Sequence, residues 1–178
     1  MRIARPALVA VTITVSLAAS LSACAGRPGT AAVVEGTTIS QSELETAQQE
    51  IVALIPGVSA SAILGNLIGT PIFVQVAQDN GVGVSIDDAK ALLAAKAAEV
   101  GLPTDHDYGT GAIDIARVSI AVDNLSQLAD GEAILAEAQA AIGGQEITVN
   151  PRYGTFDPAS AQLLTVSDPD WIVQAPTQ

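Results

Sequence analysis

The chain has little cysteine, histidine, aromatic or basic content. Its 178 residues include one cysteine, one histidine and seven lysines and arginines, and only 3% are aromatic. A single cysteine excludes an internal disulfide and a cysteine-rich zinc site, and a single histidine excludes a metal site with two histidine ligands. The net charge of −12 argues against nucleic acid as a partner, since phosphate binding requires clustered lysine and arginine.

The amino-terminal residues have the layout of a secretory signal. Arg2 and Arg5 precede an uncharged, mostly apolar segment at 7–19, which is shorter than the about 20 residues that a membrane-spanning helix needs. Leu-Ser-Ala-Cys follows and resembles the lipobox of bacterial lipoproteins. The resemblance implies cleavage between Ala23 and Cys24, a lipid on the Cys24 thiol, and an anchor on the extracytoplasmic face of the cell membrane. The alternative is an ordinary signal peptide followed by an unrelated cysteine.

Cleavage at this position changes the charge of the mature chain. It removes Arg2 and Arg5, which leaves five basic and nineteen acidic residues and a net charge of 5 − 19 = −14. Electrostatic attachment to anionic lipid requires a polybasic segment, so we expect the lipid alone to hold the protein. Residues 24–31 are then a short lipidated tether.

Strand signals stand on both sides of a helical region. β-prone residues at 31–34 and 37–39 flank a Glu35-Gly36 turn, and 146–149 forms a second extended segment. Capping serines and helical spacing predict about five helices between them: from Ser40 to Pro56, around Ile63 to Val76, from Ser85 to Val100, Ala112 to Leu125, and Asp130 to Ile142. Because a lone strand is unstable, we predict a mainly α fold closed by pairing of the amino- and carboxy-terminal strands.

The central helical segment lacks charge. No charged residue occurs from Ile51 to Gln78, but prolines and glycines interrupt the stretch. We therefore predict a buried core helix rather than a membrane-spanning one. Pro71 should kink or restart this helix, with Thr70 as a candidate cap.

Patterns that carry catalysis or bind cofactors are missing. Asp105-His106-Asp107 suggests the start of a calcium loop, but the twelfth position is Ala116 and the sixth is Thr110, so the EF-hand pattern fails. We interpret it as a solvated loop, with Asp107 capping the next helix. Neither a nucleophile elbow nor a phosphate-binding loop occurs, so we predict no catalytic, metal or cofactor site.

The order of the segments resembles that of SurA-like chaperones and the related PrsA foldases. Residues 32–44 (AVVEGTTISQSEL) are similar to the family's opening strand, A-x-V-N-G-x-x-I-T, and the capped helix after it, with Glu35 in place of the usual asparagine. Residues 67–82 and 85–89 resemble the second and third helices. Residues 147–154 (ITVNPRYG) are similar to a V-N-P-R-[FY]-G segment with which the chain returns to the core.

This resemblance implies a domain organisation. We expect a lipoprotein signal peptide at 1–23, the tether at 24–31, a SurA-like helical domain at 32–157 and an irregular tail at 158–178. We expect structural roles for four residues of the returning segment: Asn150, Pro151, Arg152 and Gly154. We also consider an ion pair between Arg152 and Glu35.

The resemblance also implies a function. The domain would bind unfolded or extended segments of exported proteins without ATP, through a groove between helices. The candidate groove residues are Ile63, Leu67, Ile72 and Val76. The alternative is that these residues belong to the core. Isomerase members of the family insert a parvulin domain of about one hundred residues, for which this chain has no room, so we expect no peptidyl-prolyl isomerase activity. The alternative is a structural or adaptor lipoprotein that holds one envelope partner.

Overall fold

Five α-helices and five short strands make up residues 28–166, the part of the chain that the computed structural model describes. In chain order the elements are β1 (Thr30–Val34), β2 (Thr37–Ser40), α1 (Gln41–Leu54), α2 (Ala60–Asp79), α3 (Ile86–Glu99), α4 (Thr110–Ser126), α5 (Gly131–Gly143), β3 (Ile147–Val149), a 3₁₀ turn (Pro151–Tyr153), β4 (Thr155–Phe156) and β5 (Leu164–Thr165). The fold is therefore mainly helical with a small antiparallel sheet, and the predicted five helices are confirmed.

The sheet joins the two ends of the described chain. Its strand order is β2-β1-β3, and β1 is antiparallel to both neighbours. Glu35 and Gly36 form the two-residue hairpin loop with φ of 47° and 79°, the left-handed values that a tight turn of this type requires. Val34 lies opposite Ile147 and Ala32 opposite Val149, so the predicted pairing of the terminal strands is confirmed.

Serine side chains begin three of the helices. The hydroxyls of Ser40, Ser59 and Ser85 accept hydrogen bonds from backbone N–H groups three residues later, which satisfies donors that a helix start leaves free. In α3 the Asp88 carboxylate also accepts from the Ser85 N–H and completes a capping box. The N-cap of α4 is Gly109, so the prediction that Asp107 caps this helix is wrong.

The central element is α2, which packs against α1, α4, α5 and β1. By length and composition it is the one helix within residues 28–166 that could cross a membrane. Ile63, Leu64 and Ile68 are nevertheless fully buried among the neighbouring elements, as in the core helix of a globular domain. The helix runs unbroken through Pro71, so the predicted alternative of a restart there is wrong.

A third expectation is corrected at residues 157–166, which we call the C-terminal strap. The predicted irregular tail begins at 158, yet Leu163 and Leu164 are only 4% and 3% exposed, and β5 pairs with β4 and packs on α2. A Cβ at Gly65 of α2 would overlap the Gln162 carbonyl oxygen, so glycine is required for this close approach. The folded domain thus extends past its predicted end at 157. Residues 167–178 lie outside the described part of the chain.

Candidate functional site

The predicted anchor lies outside the described residues. Ala23 and Cys24, between which we expect signal cleavage, precede residue 28, where the described structure begins. The lipid-attachment prediction therefore rests on the sequence.

The returning segment is tied to β1 through Asn150. Its side-chain Nδ2 donates to the Thr30 carbonyl oxygen at 3.1 Å, and its backbone N–H donates to the Ala31 carbonyl oxygen at 2.9 Å. Its Oδ1 accepts from the Arg152 N–H at 3.2 Å, and the 3₁₀ turn begins with Pro151. One side chain therefore both starts the turn and holds the end of β3 against the sheet.

Gly154 completes the same segment. Its φ of 124° is a conformation that residues with a Cβ rarely adopt. A Cβ at this position would also stand 2.6 Å from the carbonyl oxygen of Thr165 in β5. Both observations explain why glycine follows the turn.

The hypothesis that Arg152 pairs with Glu35 is wrong. The Glu35 carboxylate instead accepts a hydrogen bond from the Glu146 N–H at 2.6 Å, just before β3. Arg152 is exposed, and its guanidinium carbon lies 5.4 Å from the centre of the Tyr153 ring. The backbone, rather than an arginine, satisfies Glu35 because the hairpin turn lies beside the start of β3.

The four candidate groove residues divide into two classes. Ile63 is fully buried and Leu67 is 7% exposed, so both belong to the core and cannot line an open groove. Ile72 is half-buried against the main core, and Val76 is half-buried against a smaller cluster around Ala77 and Leu125. The structure therefore excludes Ile63 and Leu67 from an open groove, whereas Ile72 and Val76 remain partly exposed.

A cleft of about 430 Å³ lies between the end of α1 and the loop that joins α3 to α4. We call it the Glu50 cleft. This volume is within the range of ligand-binding pockets, about 300–1,000 Å³. Its lining combines apolar and ionisable side chains from two segments: Glu50, Ala53, Leu54, Leu102, Pro103, Asp105, His106, Asp107 and Tyr108.

Glu50 holds the two sides of the cleft together. Its Oε1 and Oε2 accept from the Gly109 N–H at 3.0 and 3.2 Å, 59 positions along the chain. Gly109 has no side chain to cap α4, so a carboxylate from α1 places its negative charge at that helix start. A Cβ on Gly109 would stand 3.3 Å from Glu50 Oε2, closer than an ordinary contact.

His106 and Tyr108 form one wall of the cleft. Their ring centres are 4.6 Å apart in an edge-to-face arrangement, and His106 Nε2 lies 3.5 Å from Glu50 Oε1. Burial, and secondly the negative charge of Glu50, raise the pKa of the Tyr108 hydroxyl above its usual value of 10.0. Tyr108 therefore keeps its proton at neutral pH and can both donate and accept hydrogen bonds.

The sequence predicts the loop that lines this cleft but not the cleft itself. Asp105-His106-Asp107 is typical of a solvated loop, and Glu50 belongs to no recognisable motif. One signal was available: Glu50 lies in the carboxy-terminal half of α1, which has no basic residue in its last turn to offset an acid. That unfavourable position indicates a partner elsewhere, which the structure identifies as the start of α4.

A second cavity, of about 280 Å³, follows α2 beneath the C-terminal strap. Gly65, Gly69 and Phe73 of α2 line it together with Gln139 and Gln162. Gln139 Nε2 donates to the carbonyl oxygens of Pro158 and Ser160, both at 3.0 Å. The strap lines this cavity with Ala161, Gln162 and Leu163, and the volume lies below the usual range of ligand pockets, about 300–1,000 Å³. The Glu50 cleft is therefore the better candidate site.

Neither cavity has the ligand set of a metal site. Within residues 28–166 there is no group of three or more His, Cys, Asp and Glu side chains placed to hold a metal ion. Comparison with known proteins adds no assignment, because no family model, curated protein or solved structure matches this chain.

Proposed function

We propose that the chain is a lipid-anchored, extracytoplasmic protein whose SurA-like helical domain binds extended segments of exported proteins without ATP. The Glu50 cleft is the observation that carries the proposal. It is open, about 430 Å³ in volume, and offers apolar surface beside polar groups that can fix a bound chain.

Two further features support it. The arginine-containing start, the apolar segment and the Leu-Ser-Ala-Cys motif favour export and a lipid on Cys24. The element order, with five helices between paired terminal strands, is the order that the family resemblance implies.

The proposal does not include isomerase activity. Residues 144–146 alone connect α5 to β3, so the parvulin insertion of the isomerase members has no place between them. A proline-containing peptide should isomerise at the background rate in the presence of the protein.

The test uses residues 24–178 with Cys24→Ser, so that the protein is soluble without its lipid. We expect it to suppress aggregation of several unrelated unfolded proteins, and Leu102→Asp in the cleft to weaken this effect. Leu102 is 41% exposed, so the substitution should not unfold the domain. Ile86→Asp is the matched control, since Ile86 is 53% exposed and is not a lining residue of the cleft.

Two results would overturn the proposal. Capture of one envelope partner, without effect on unrelated unfolded proteins, would favour an adaptor. Mass spectrometry of the protein from intact cells should find an acylated Cys24 at the amino terminus, and an unmodified terminus would remove the anchor.

A further inference from the structure

The lining of the Glu50 cleft consists of an apolar part and an ionisable part. Ala53 and Leu54 of α1 and Leu102 and Pro103 after α3 supply the apolar part. Leu54 is only 5% exposed, whereas Leu102 is 41% exposed. Leu102 therefore adds exposed apolar surface to the cleft.

The ionisable part of the lining is mainly acidic. Glu50, Asp105 and Asp107 supply three carboxyl groups, and His106 is the one group among the lining residues that can carry a positive charge. No lysine or arginine occurs among the nine described lining residues. Glu50 already contacts the Gly109 N–H and His106, whereas the carboxyl groups of Asp105 and Asp107 are exposed.

These two parts fit one kind of occupant. Lysine and arginine have an apolar stem and a cationic head, and they bury the stem along apolar surface while the head remains near water or carboxylates. The Tyr108 ring among the lining residues adds an aromatic surface of the type that attracts cations. An acidic side chain would meet like charge, and a purely apolar one would cover carboxylates without replacing their water.

We propose that the Glu50 cleft binds a lysine or arginine side chain of an extended polypeptide, with its stem on Leu54 and Leu102 and its head toward the carboxylates. The inference rests on the proposed function and specifies the segments that the domain selects. The net charge of 5 − 19 = −14 on the mature chain would attract such segments from a distance. Selection would then favour basic positions flanked by apolar residues.

The test measures binding of fluorescein-labelled Ala-Leu-Lys-Leu-Ala with capped ends, and of its arginine, norleucine and glutamate counterparts, by fluorescence anisotropy. The lysine and arginine peptides should bind roughly fivefold or more tightly than norleucine, the effect of one or two partly solvated ion pairs, and glutamate should bind most weakly. Asp105→Asn with Asp107→Asn should remove this preference and leave norleucine binding unchanged.

The control variant is Asp123→Asn with Asp130→Asn. Both aspartates are exposed, do not line the cleft, and change the net charge by the same amount. Equal loss of lysine-peptide binding in this control, or equal binding of the lysine and norleucine peptides to the unchanged protein, would overturn the inference. Failure of all four peptides to bind would overturn it as well.

The two proposals can fail separately. Suppression of aggregation without a charge preference would refute the cationic site and retain the proposed function. Cleft-dependent binding of the lysine peptide without suppression of aggregation would retain the site and refute the chaperone function.

Discussion

Leu163 offers a direct test of the C-terminal strap, because the sequence predicts an irregular tail where the structure has a buried side chain. Leu163 is 4% exposed, and its Cδ1 lies 3.3 Å from the position that a Cβ on Gly69 would occupy. Burial of a leucine side chain stabilises by about 2 kcal/mol, and the cavity left by its removal adds to the loss. We expect Leu163→Ala to lower the free energy of unfolding by about 3 kcal/mol, toward the lower end of the leucine-to-alanine range because the strap can partly collapse.

The assay is thermal unfolding of residues 24–178 followed by circular dichroism. For a domain of this size, about 3 kcal/mol corresponds to a decrease in Tm of about 10 °C. Val166→Ala is the matched control, because Val166 lies in the same segment and is 65% exposed. A Tm for Leu163→Ala within about 2 °C of the unsubstituted protein would refute the packing of the strap, as would an equal decrease for Val166→Ala.

The backbone at Leu163 supplies a second arm of the test. Its φ of 59° is left-handed, which costs a residue with a Cβ about 1–2 kcal/mol. Glycine does not carry this cost, so Leu163→Gly should be at least as stable as Leu163→Ala. At ordinary backbone angles the order is the reverse, since glycine costs about 0.5–1 kcal/mol relative to alanine in regular structure. A markedly less stable glycine variant would refute the left-handed conformation.

Three further predictions concern other parts of the domain. Gly65→Ala should destabilise by about 1–3 kcal/mol in urea unfolding because its Cβ meets the Gln162 carbonyl oxygen, and a neutral result would contradict that close approach. Ser85→Ala should raise the pKa of Asp88 toward 3.8 in an NMR titration, because the Ser85 hydroxyl chiefly holds this pKa below its ordinary value; an unchanged titration would argue against the capping box. Burial raises the pKa of Asp114 above 3.8 despite a neighbouring arginine, so the folded state holds this proton more tightly than the unfolded state. The contribution of Asp114 to stability is therefore largest below pH 3.8 and decreases as the pH rises through the raised pKa of the folded state. Urea unfolding at a series of pH values should show this decrease in the unsubstituted protein but not in Asp114→Asn.

The helices and the sheet could be predicted because their signals are local. Ser40 and Ser85 cap helices within three residues of their partners, and the Glu35-Gly36 turn sets the hairpin by its own backbone preferences. The pairing of β1 with β3 followed from a general rule, that an isolated strand needs a partner.

The Glu50 cleft and the strap could not be predicted in the same way. The contact of Glu50 with Gly109 joins residues 59 positions apart. No local sequence pattern around either residue predicts that the other is its partner. Leu163 and Leu164 lie in a short segment of mixed small, polar and apolar residues, which is too short to show a periodicity. Gly65 and Gly69 were a sign that another segment approaches α2 closely, but they do not say which segment.

The pairing of β1 with β3 also orders folding in time. Val34 pairs with Ile147, and the Glu35 N–H donates to the Glu146 carbonyl oxygen at 3.0 Å. The first strand of the described chain therefore cannot complete its pairing until β3 has formed. Helices form from neighbouring residues within microseconds, whereas this contact must close a loop that contains all five of them. A chain that emerges amino terminus first therefore exposes one edge of β1 until residue 149 has appeared. Completion of the sheet, rather than formation of the helices, should limit the rate at which the newly synthesised domain becomes resistant to proteolysis.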